Sequence, residues 1–392
     1  MDRNPKALLA LAIVVALGCL GGCESGGGAG DEGAISVAPL KRTLAPLEQA
    51  RFAATVVPDR LSQSVAWSVR EVGGGTITAA GLYTAPATTG TYHVDATSAA
   101  DQSLVASATV TVTNSTAPSG WIYFLMGTQA PLSQRLYRVR PDGSGLAALT
   151  SAMPILNYSI DPAEQKVVWS GADRNLYTMN LNGTSLRALI GLGTDQEPAW
   201  SPGGFRIAFI RYTSRGAEVW DTNTNGRDLR QLYEVPIGYS AQAPSYSMDG
   251  TQIAFSCGLN ANDSIYLMTK NGGATRISAI NAAGRYQTGP VLNPAGDLLA
   301  YYTQQWSSLS SRADIGTMNT GGAAQTRLTV ADSESGSSRH PTWSPTGLHM
   351  AYASARANGT WDLWVMEPDG SSSRALGVNN SNQITVSHPI WR

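Results

Sequence analysis

An all-β chain, a small β-sandwich followed by a six-bladed β-propeller, is the fold this sequence predicts, on three observations. First, the stretch Pro341-Thr342-Trp343-Ser344-Pro345-Thr346-Gly347 recurs in the C-terminal two-thirds. Its near-copies are Pro198-Ala199-Trp200-Ser201-Pro202-Gly203-Gly204, Pro244-Ser245-Tyr246-Ser247-Met248-Asp249-Gly250 and Pro290-Val291-Leu292-Asn293-Pro294-Ala295-Gly296, with a degenerate one opening at Tyr158. Second, the steps from Tyr158 to Pro198, Pro244, Pro290, Pro341 and Pro389 are 40, 46, 46, 51 and 48 residues, the size of a propeller blade. Third, residues 35–113 carry short alternating strands without that period, so a different β module precedes the repeats.

The N-terminus sets the compartment. Arg3 and Lys6 precede an apolar run from Ala7 to Leu17, followed by Gly18-Cys19-Leu20-Gly21-Gly22-Cys23. As a helix that run rises only ~16 Å, short of the ~30 Å hydrocarbon core, so a cleaved signal segment is favoured over a span. Leu20-Gly21-Gly22-Cys23 resembles a bacterial lipobox, which implies a lipoprotein signal peptide at 1–22 and lipidation of Cys23. Ala16-Leu17-Gly18-Cys19 is a poorer version, with Leu where a small residue is usual. The plainer alternative is an ordinary secretory peptide with incidental cysteines. Residues 23–34 are Gly-rich and aperiodic, and read as a flexible tether with a root-mean-square reach of about 18 Å. Gly28-x-Gly30-x-x-Gly33 has the form of a dinucleotide fingerprint, but no strand precedes it and no helix follows.

Strands are expected at Phe52–Val57, Val65–Val69, Tyr92–Thr97 and Ala106–Val112, which fits a small sandwich over 35–113. This module contains no cysteine, so Trp67 and its apolar neighbours must form the core without a disulfide. Trp67, the run from Gly75 to Pro86 and the closing Thr109-Val110-Thr111-Val112 resemble bacterial Ig-like domains of surface and periplasmic proteins. Residues 114–120, rich in Ser, Thr, Pro and Gly, read as the linker before a propeller at 121–392.

Each period repeats one internal order. A Pro-aromatic strand leads to an apolar strand (Ile207-Ala208-Phe209, Ile253-Ala254-Phe255, Met350-Ala351-Tyr352), then to an alternating one such as Ile265-Tyr266-Leu267-Met268. A tight turn follows, at Asp142-Gly143, Asn182-Gly183, Asn225-Gly226, Asn271-Gly272, Gly321-Gly322 or Asp369-Gly370. These pairs accept the positive φ that a two-residue hairpin needs. A short fourth strand closes the period, and four antiparallel strands make a blade. The first blade enters at Trp121-Ile122-Tyr123-Phe124 without its opening strand, which is expected to be Val386 to Trp391, closing the ring at the C-terminus and leaving no open edge.

The Pro-x-Trp-Ser-Pro-x-Gly and Tyr/Trp-x-Met-x-x-(Asp/Asn)-Gly repeats resemble those of TolB-type six-bladed propellers, over residues 121–392. The resemblance implies fold more than function, since such propellers serve as binding platforms, protease-associated domains and sugar-acid lyases. TolB proteins carry an α/β domain before the propeller and are soluble in the periplasm. This chain departs from that pattern, with an Ig-like module and a lipobox.

Twenty-seven Lys and Arg against 28 Asp and Glu give a net charge of −1, so nothing argues for nucleic acid. There is no Gly-x-Ser-x-Gly, no His-Glu-x-x-His and no Walker-type Gly-Lys-Ser/Thr, which weighs against a propeller-plus-hydrolase peptidase. Asp221-x-Asn223-x-Asn225-Gly226 mimics the start of a calcium loop, but position twelve is Leu232 where a Glu is needed. Cys257, on a second strand, reads as a buried inert thiol.

One constellation follows from the repeat. First strands line a propeller's channel, so the residues just before the opening Pro or its equivalent should form a ring: Asn157, Glu197, Ala243, Gly289, His340 and His388. One position earlier come the polar Gln196, Gln242, Thr288, Arg339 and Ser387. Three readings of this ring stand: a polar ligand-binding rim, structural hydrogen bonds between blades, or a metal or acid–base site. Two His supply at most half a usual ligand set. Trp306, in an expected loop from Gln304 to Ala313, and Trp361, before a third strand, are placed on the same face. Taken together, the sequence implies a lipid-anchored cell-envelope binding or scaffold protein without catalysis or cofactor of its own, taking an envelope protein, peptide or glycan. The competing class is a metal-dependent polysaccharide lyase or hydrolase working in the channel.

Overall fold

The computed structural model describes residues 33–57, 61–115, 117–128, 133–259, 262–278, 285–307, 310–330, 336–355, 359–379, 381 and 384–392. Both Cys23 and Cys19, the signal segment and nearly all of the tether lie outside the described residues. No helix occurs among the described residues.

Residues 34–112 form three sheets. Ala34–Ala38 pairs with Ala53–Val57, Leu82–Thr84 lies between Gln49–Arg51 and Thr76–Ile77 and pairs with both, and Lys41–Leu44 runs parallel to Val105–Val112, which continues through Gly90–Ser98 to Val65–Val69. The core differs from the expected Trp-centred one. Trp67 is half-buried, whereas Phe52 and Tyr83 are buried and meet edge to face at 6.1 Å. Tyr83 reaches the centre because its hydroxyl donates to the Gly74 carbonyl, leaving no buried polar atom unmet.

The described residues of 122–391 form six four-stranded sheets. In the first, the innermost strand is Ile384–Trp391, antiparallel to Ile122–Thr128 with Trp391 opposite Ile122. No hydrogen-bonded strand pair joins one sheet to the next among the described residues; side chains do. Tyr123 and Leu125 pack with Ile160 and Trp169 of the second sheet, Val168 with Trp200 and Phe209 of the third, and Ile210 with Ile253 and Phe255 of the fourth. The series runs on through Ala254 with Tyr301 and Ala300 with Tyr352, and then Ala351 and Leu363 of the sixth sheet meet Ile122, Phe124 and Trp391 of the first. The turn glycines serve this packing as well as their own hairpins. A Cβ on Gly226 (φ 80°) would lie 2.2 Å from the Leu189 carbonyl, so the neighbouring sheet forbids any other residue.

Two elements depart from expectation. The stretch Gln304 to Ala313 is a paired ribbon rather than a loop, since Leu298–Ser307 and Ser310–Asn319 continue their ladder through Trp306 opposite Ser311. The side chain of Trp306 lies outside the described residues. Trp361 sits inside the strand Trp361–Met366, opposite Ala355, rather than before it.

The N-terminal sheets touch the turns that follow the innermost strands. Arg42, 5% exposed, donates from Nη1 to the Pro345 carbonyl at 3.1 Å, and Lys41 Nζ lies 3.5 Å from Glu164. A Cβ on Gly203 would lie 3.3 Å from Ser36 Oγ, and one on Gly250 3.9 Å from Ala38. Turns of four sheets thus meet residues 36–42. Cys257 is buried and its thiol is pushed up to about 12, mainly by burial, in keeping with an inert core role.

Candidate functional site

Proline has no N–H to give a ladder, so Pro198, Pro244, Pro290, Pro341 and Pro389 cannot sit as ordinary members of an inner strand. The structure resolves this with a β-bulge at the same place in each of these five proline-bearing repeats. Gln196 faces Ile210 but Ala199 faces Ala208, and the same slip falls between Gln242 and Ser245, Thr288 and Val291, and Arg339 and Thr342. The prolines therefore lie within their strands, at a bulge, and do not open them as the sequence pattern suggested. The residue before each takes the left-handed conformation: Glu197 at φ 55°, Ala243 at 53°, Gly289 at 62°, His340 at 54° and His388 at 50°. Asn157, followed by Tyr158 rather than Pro, has no positive φ and pairs with Ser170, and the register shift falls one residue earlier, at Leu156. A bulge re-aims its side chain.

These positions line one cavity of about 570 Å³ that runs along the innermost strands. Asn157, Gln196, Glu197, Gln242, His340 and His388 all border it, as do the aromatic side chains Trp200, Tyr246, Trp343 and Trp391. Arg339 and Trp361 do not border it. They pair with each other, the guanidinium 5.6 Å from the indole centroid, and the Trp361 carbonyl accepts from Asn379.

Within the ring the two imidazoles stack, His340 on His388, with centroids 3.9 Å apart and planes at 26°. Tyr302 meets His340 edge-on at 5.2 Å. Both Nδ1 atoms are buried without a hydrogen-bond partner, so these side chains do not bridge blades through Nδ1 as a structural role would require. Burial depresses the His388 imidazole to about 4, and His340 falls well below its usual value through burial, His388 and Arg339. Both are neutral at ordinary pH. Tyr158 donates its hydroxyl to the His388 carbonyl at 2.8 Å, which pins the backbone of the bulge.

Glu197 is tied the other way. One carboxylate oxygen accepts from the Ala243 amide, the ring position of the next repeat. Burial raises its carboxyl to about 7, the Ala243 amide pulling down and the charge of Asp263 pushing up. Gln242 links this region, donating to Asp263 at 2.6 Å and to Thr288 at 3.0 Å. Among the described residues no trio of His, Cys, Asp or Glu converges as a metal set.

Sequence reasoning missed Tyr302 and Asp263. A signal for Tyr302 existed in Gly289, the ring's one glycine. A Cβ there would lie 2.6 Å from the Tyr302 ring, so the tyrosine fills the place a ring side chain would take.

Comparison with known proteins agrees with this architecture. Among solved structures, TolB from Acinetobacter baumannii aligns at a TM-score of 0.57 with 19% identity, over 78% of this chain and 80% of that one. Hydrazine synthase from Kuenenia stuttgartiensis aligns at 0.55 and 12%, over 70% of this chain and 46% of that one. A chain of a nidogen/laminin complex aligns at 0.53 and 11%, over 69% and 97%. Identities this low carry the fold alone. No curated protein matches the sequence. The model of the TolB β-propeller domain matches residues 149–392, more than half of the sequence, and the chain belongs to that family.

Proposed function

We propose that this chain is a lipid-anchored binding or scaffold protein of the bacterial cell envelope, in which an Ig-like spacer carries a closed six-bladed propeller whose channel takes a protein, peptide or glycan. The observation that carries the reading is the channel cavity itself, with polar side chains converging on one ring and two imidazole nitrogens there left without partners. Membership of the TolB propeller family supports an envelope role, and the pairing of Ile384–Trp391 with Ile122–Thr128 supports ring closure. The division at 35–113, 114–120 and 121–392 belongs to the same proposal. It rests on separate apolar clusters, one around Phe52 and Tyr83 and others between the six sheets.

The test is capture from envelope extract with wild-type protein and with His340→Ala plus His388→Ala. The wild type should retain a partner that the double variant loses, with melting at neutral pH changed by no more than about 1 kcal/mol, because neither imidazole hydrogen-bonds a described residue. Equal capture by both proteins would remove the ring from the site. The stacked imidazoles also supply two nitrogen ligands, the one feature that favours the lyase class. Stoichiometric uptake of a divalent metal, lost in the same variant, would turn the reading toward an enzyme.

The anchor has its own expected outcome. Cys23→Ser should move the protein from the detergent phase to the aqueous phase and abolish lipid labelling. Unchanged partitioning would point to Cys19 or to no lipid at all.

A further inference from the structure

We propose that the ring end of the channel receives a cationic nitrogen of its ligand, a primary ammonium, against the carboxylate of Glu197. The inference deepens the binding reading above and rests on it. Among the described residues Glu197 makes no ion pair, although it borders the cavity and one of its oxygens is already fixed by the Ala243 amide. The ionisable groups facing it are Asp263, Tyr212 and Tyr302, none of which brings a positive charge. Of the nearby cations, Arg339 lies over Trp361 and its charge acts on His340 and Tyr302, and that of Arg174 acts on Tyr212; neither acts on Glu197. The stacked imidazoles of His340 and His388 add none either, since two protonated rings at 3.9 Å would repel. One guanidinium, Arg392, borders the same cavity, but it lies four residues beyond His388, about 13 Å along an extended strand, and its Nη2 donates to the Ile160 carbonyl.

Among the described residues no cation therefore pairs with Glu197. A carboxylate removed from water and left unpaired is costly, and a cation delivered by the ligand relieves that cost through a charge-assisted hydrogen bond. An ammonium has three N–H donors, and the Glu197 carboxylate has lone pairs beyond the one held by the Ala243 amide to accept from them. A ligand carboxylate or sulfate placed there would face Glu197 and Asp263 with nothing to neutralise it. The carboxyl's raised pKa, about 7, agrees with the geometry: an entering ammonium favours the ionised form and expels the proton.

Three probes of similar size separate the outcomes: n-butylammonium, N-butylacetamide and butyrate, each titrated into the soluble chain while the imidazole resonances of His340 and His388 are followed. Butylammonium should shift them saturably, with the neutral and anionic probes at least about tenfold weaker. Its affinity should rise about tenfold between about pH 6 and pH 8, as a carboxyl near 7 ionises, and proton release should accompany binding at the lower pH. Glu197→Gln, which keeps an acceptor for the Ala243 amide, should erase both the preference and the pH dependence. Equal binding of all three probes, no saturable shift with butylammonium, or an unchanged preference in Glu197→Gln would each overturn the assignment. If partner capture still depends on His340 and His388 in any of these cases, the binding reading stands and only the cation falls.

Discussion

Removing residues 386–392 is expected to abolish cooperative folding of the propeller and leave an aggregating chain, measured by urea denaturation and light scattering. The strand Ile384–Trp391 is the inner partner of Ile122–Thr128, so its loss strips a ladder of backbone groups from a buried strand. It also removes Val386 and Trp391, 1% and 3% exposed, from a cluster that joins the first sheet to the sixth. The Trp391 indole donates to the Ser119 carbonyl at 2.7 Å, and Trp121 exchanges backbone hydrogen bonds with Arg392 at 2.8 and 2.9 Å. Those contacts link the chain's last residues to the segment that begins the first sheet. Trp391→Ala alone should cost about 3–5 kcal/mol, as large-to-small changes of buried aromatics do. The full deletion should exceed the roughly 5–15 kcal/mol that hold an ordinary domain together. A truncated protein that unfolds at the same urea concentration as the full chain would sink the role assigned to this strand.

The features legible in the sequence and those that were hidden differ in physical kind. Apolar runs such as Ile253-Ala254-Phe255 and turns such as Asn225-Gly226 report burial and positive φ, which are local demands, and they marked the places of strands and hairpins; the two-residue loop expected at Asn225-Gly226 is not formed, since only Gly226 takes a positive φ and its amide closes the turn onto the Asn223 carbonyl. The bulge was hidden because the prolines were read as opening their strands. The alternative, a strand that steps around them, is invisible without the register. That step is what turns Glu197, His340 and His388 into the cavity border. A place on the cavity border was legible for nine of the eleven named ring positions, but contact between ring members was not. The His340–His388 stack, the Tyr302 edge and the Gln242 link to Asp263 depend on distances between sheets. Arg339 shows the limit: its position in the repeat placed it on the rim, while Trp361 draws it to another contact. The ribbon through Trp306 was missed since Gln304 to Ala313 is mostly polar, with Trp306 and Leu309 too isolated to give an alternation to read.

The same ring should give the protein two opposite pH dependences of stability, separable by substitution. Burial raises the Glu197 carboxyl from 4.5 to about 7, so the folded chain holds a proton there that the unfolded chain has lost. Its contribution is complete below about pH 4.5 and is lost as pH rises through 7. The His388 imidazole moves from 6.5 down to about 4, and His340 moves the same way. Their contribution is complete above about pH 6.5 and is lost as pH falls toward 4. Burial also raises the carboxyls of Asp161 and Asp263, so the informative quantity is the difference between variants, in which that background cancels. Relative to wild type, Glu197→Gln should gain stability steadily from about pH 4.5 upward, by about 2–3 kcal/mol at pH 8. His340→Phe with His388→Phe, which keeps two stacked rings and removes their titration, should gain in the opposite direction, by a few kcal/mol in total at about pH 4. Urea midpoints measured across that range on the three proteins check both slopes. Parallel curves for all three would mean that the ring side chains are hydrated as free residues are, and the channel would then be an open aqueous passage with no capacity to select a ligand by charge.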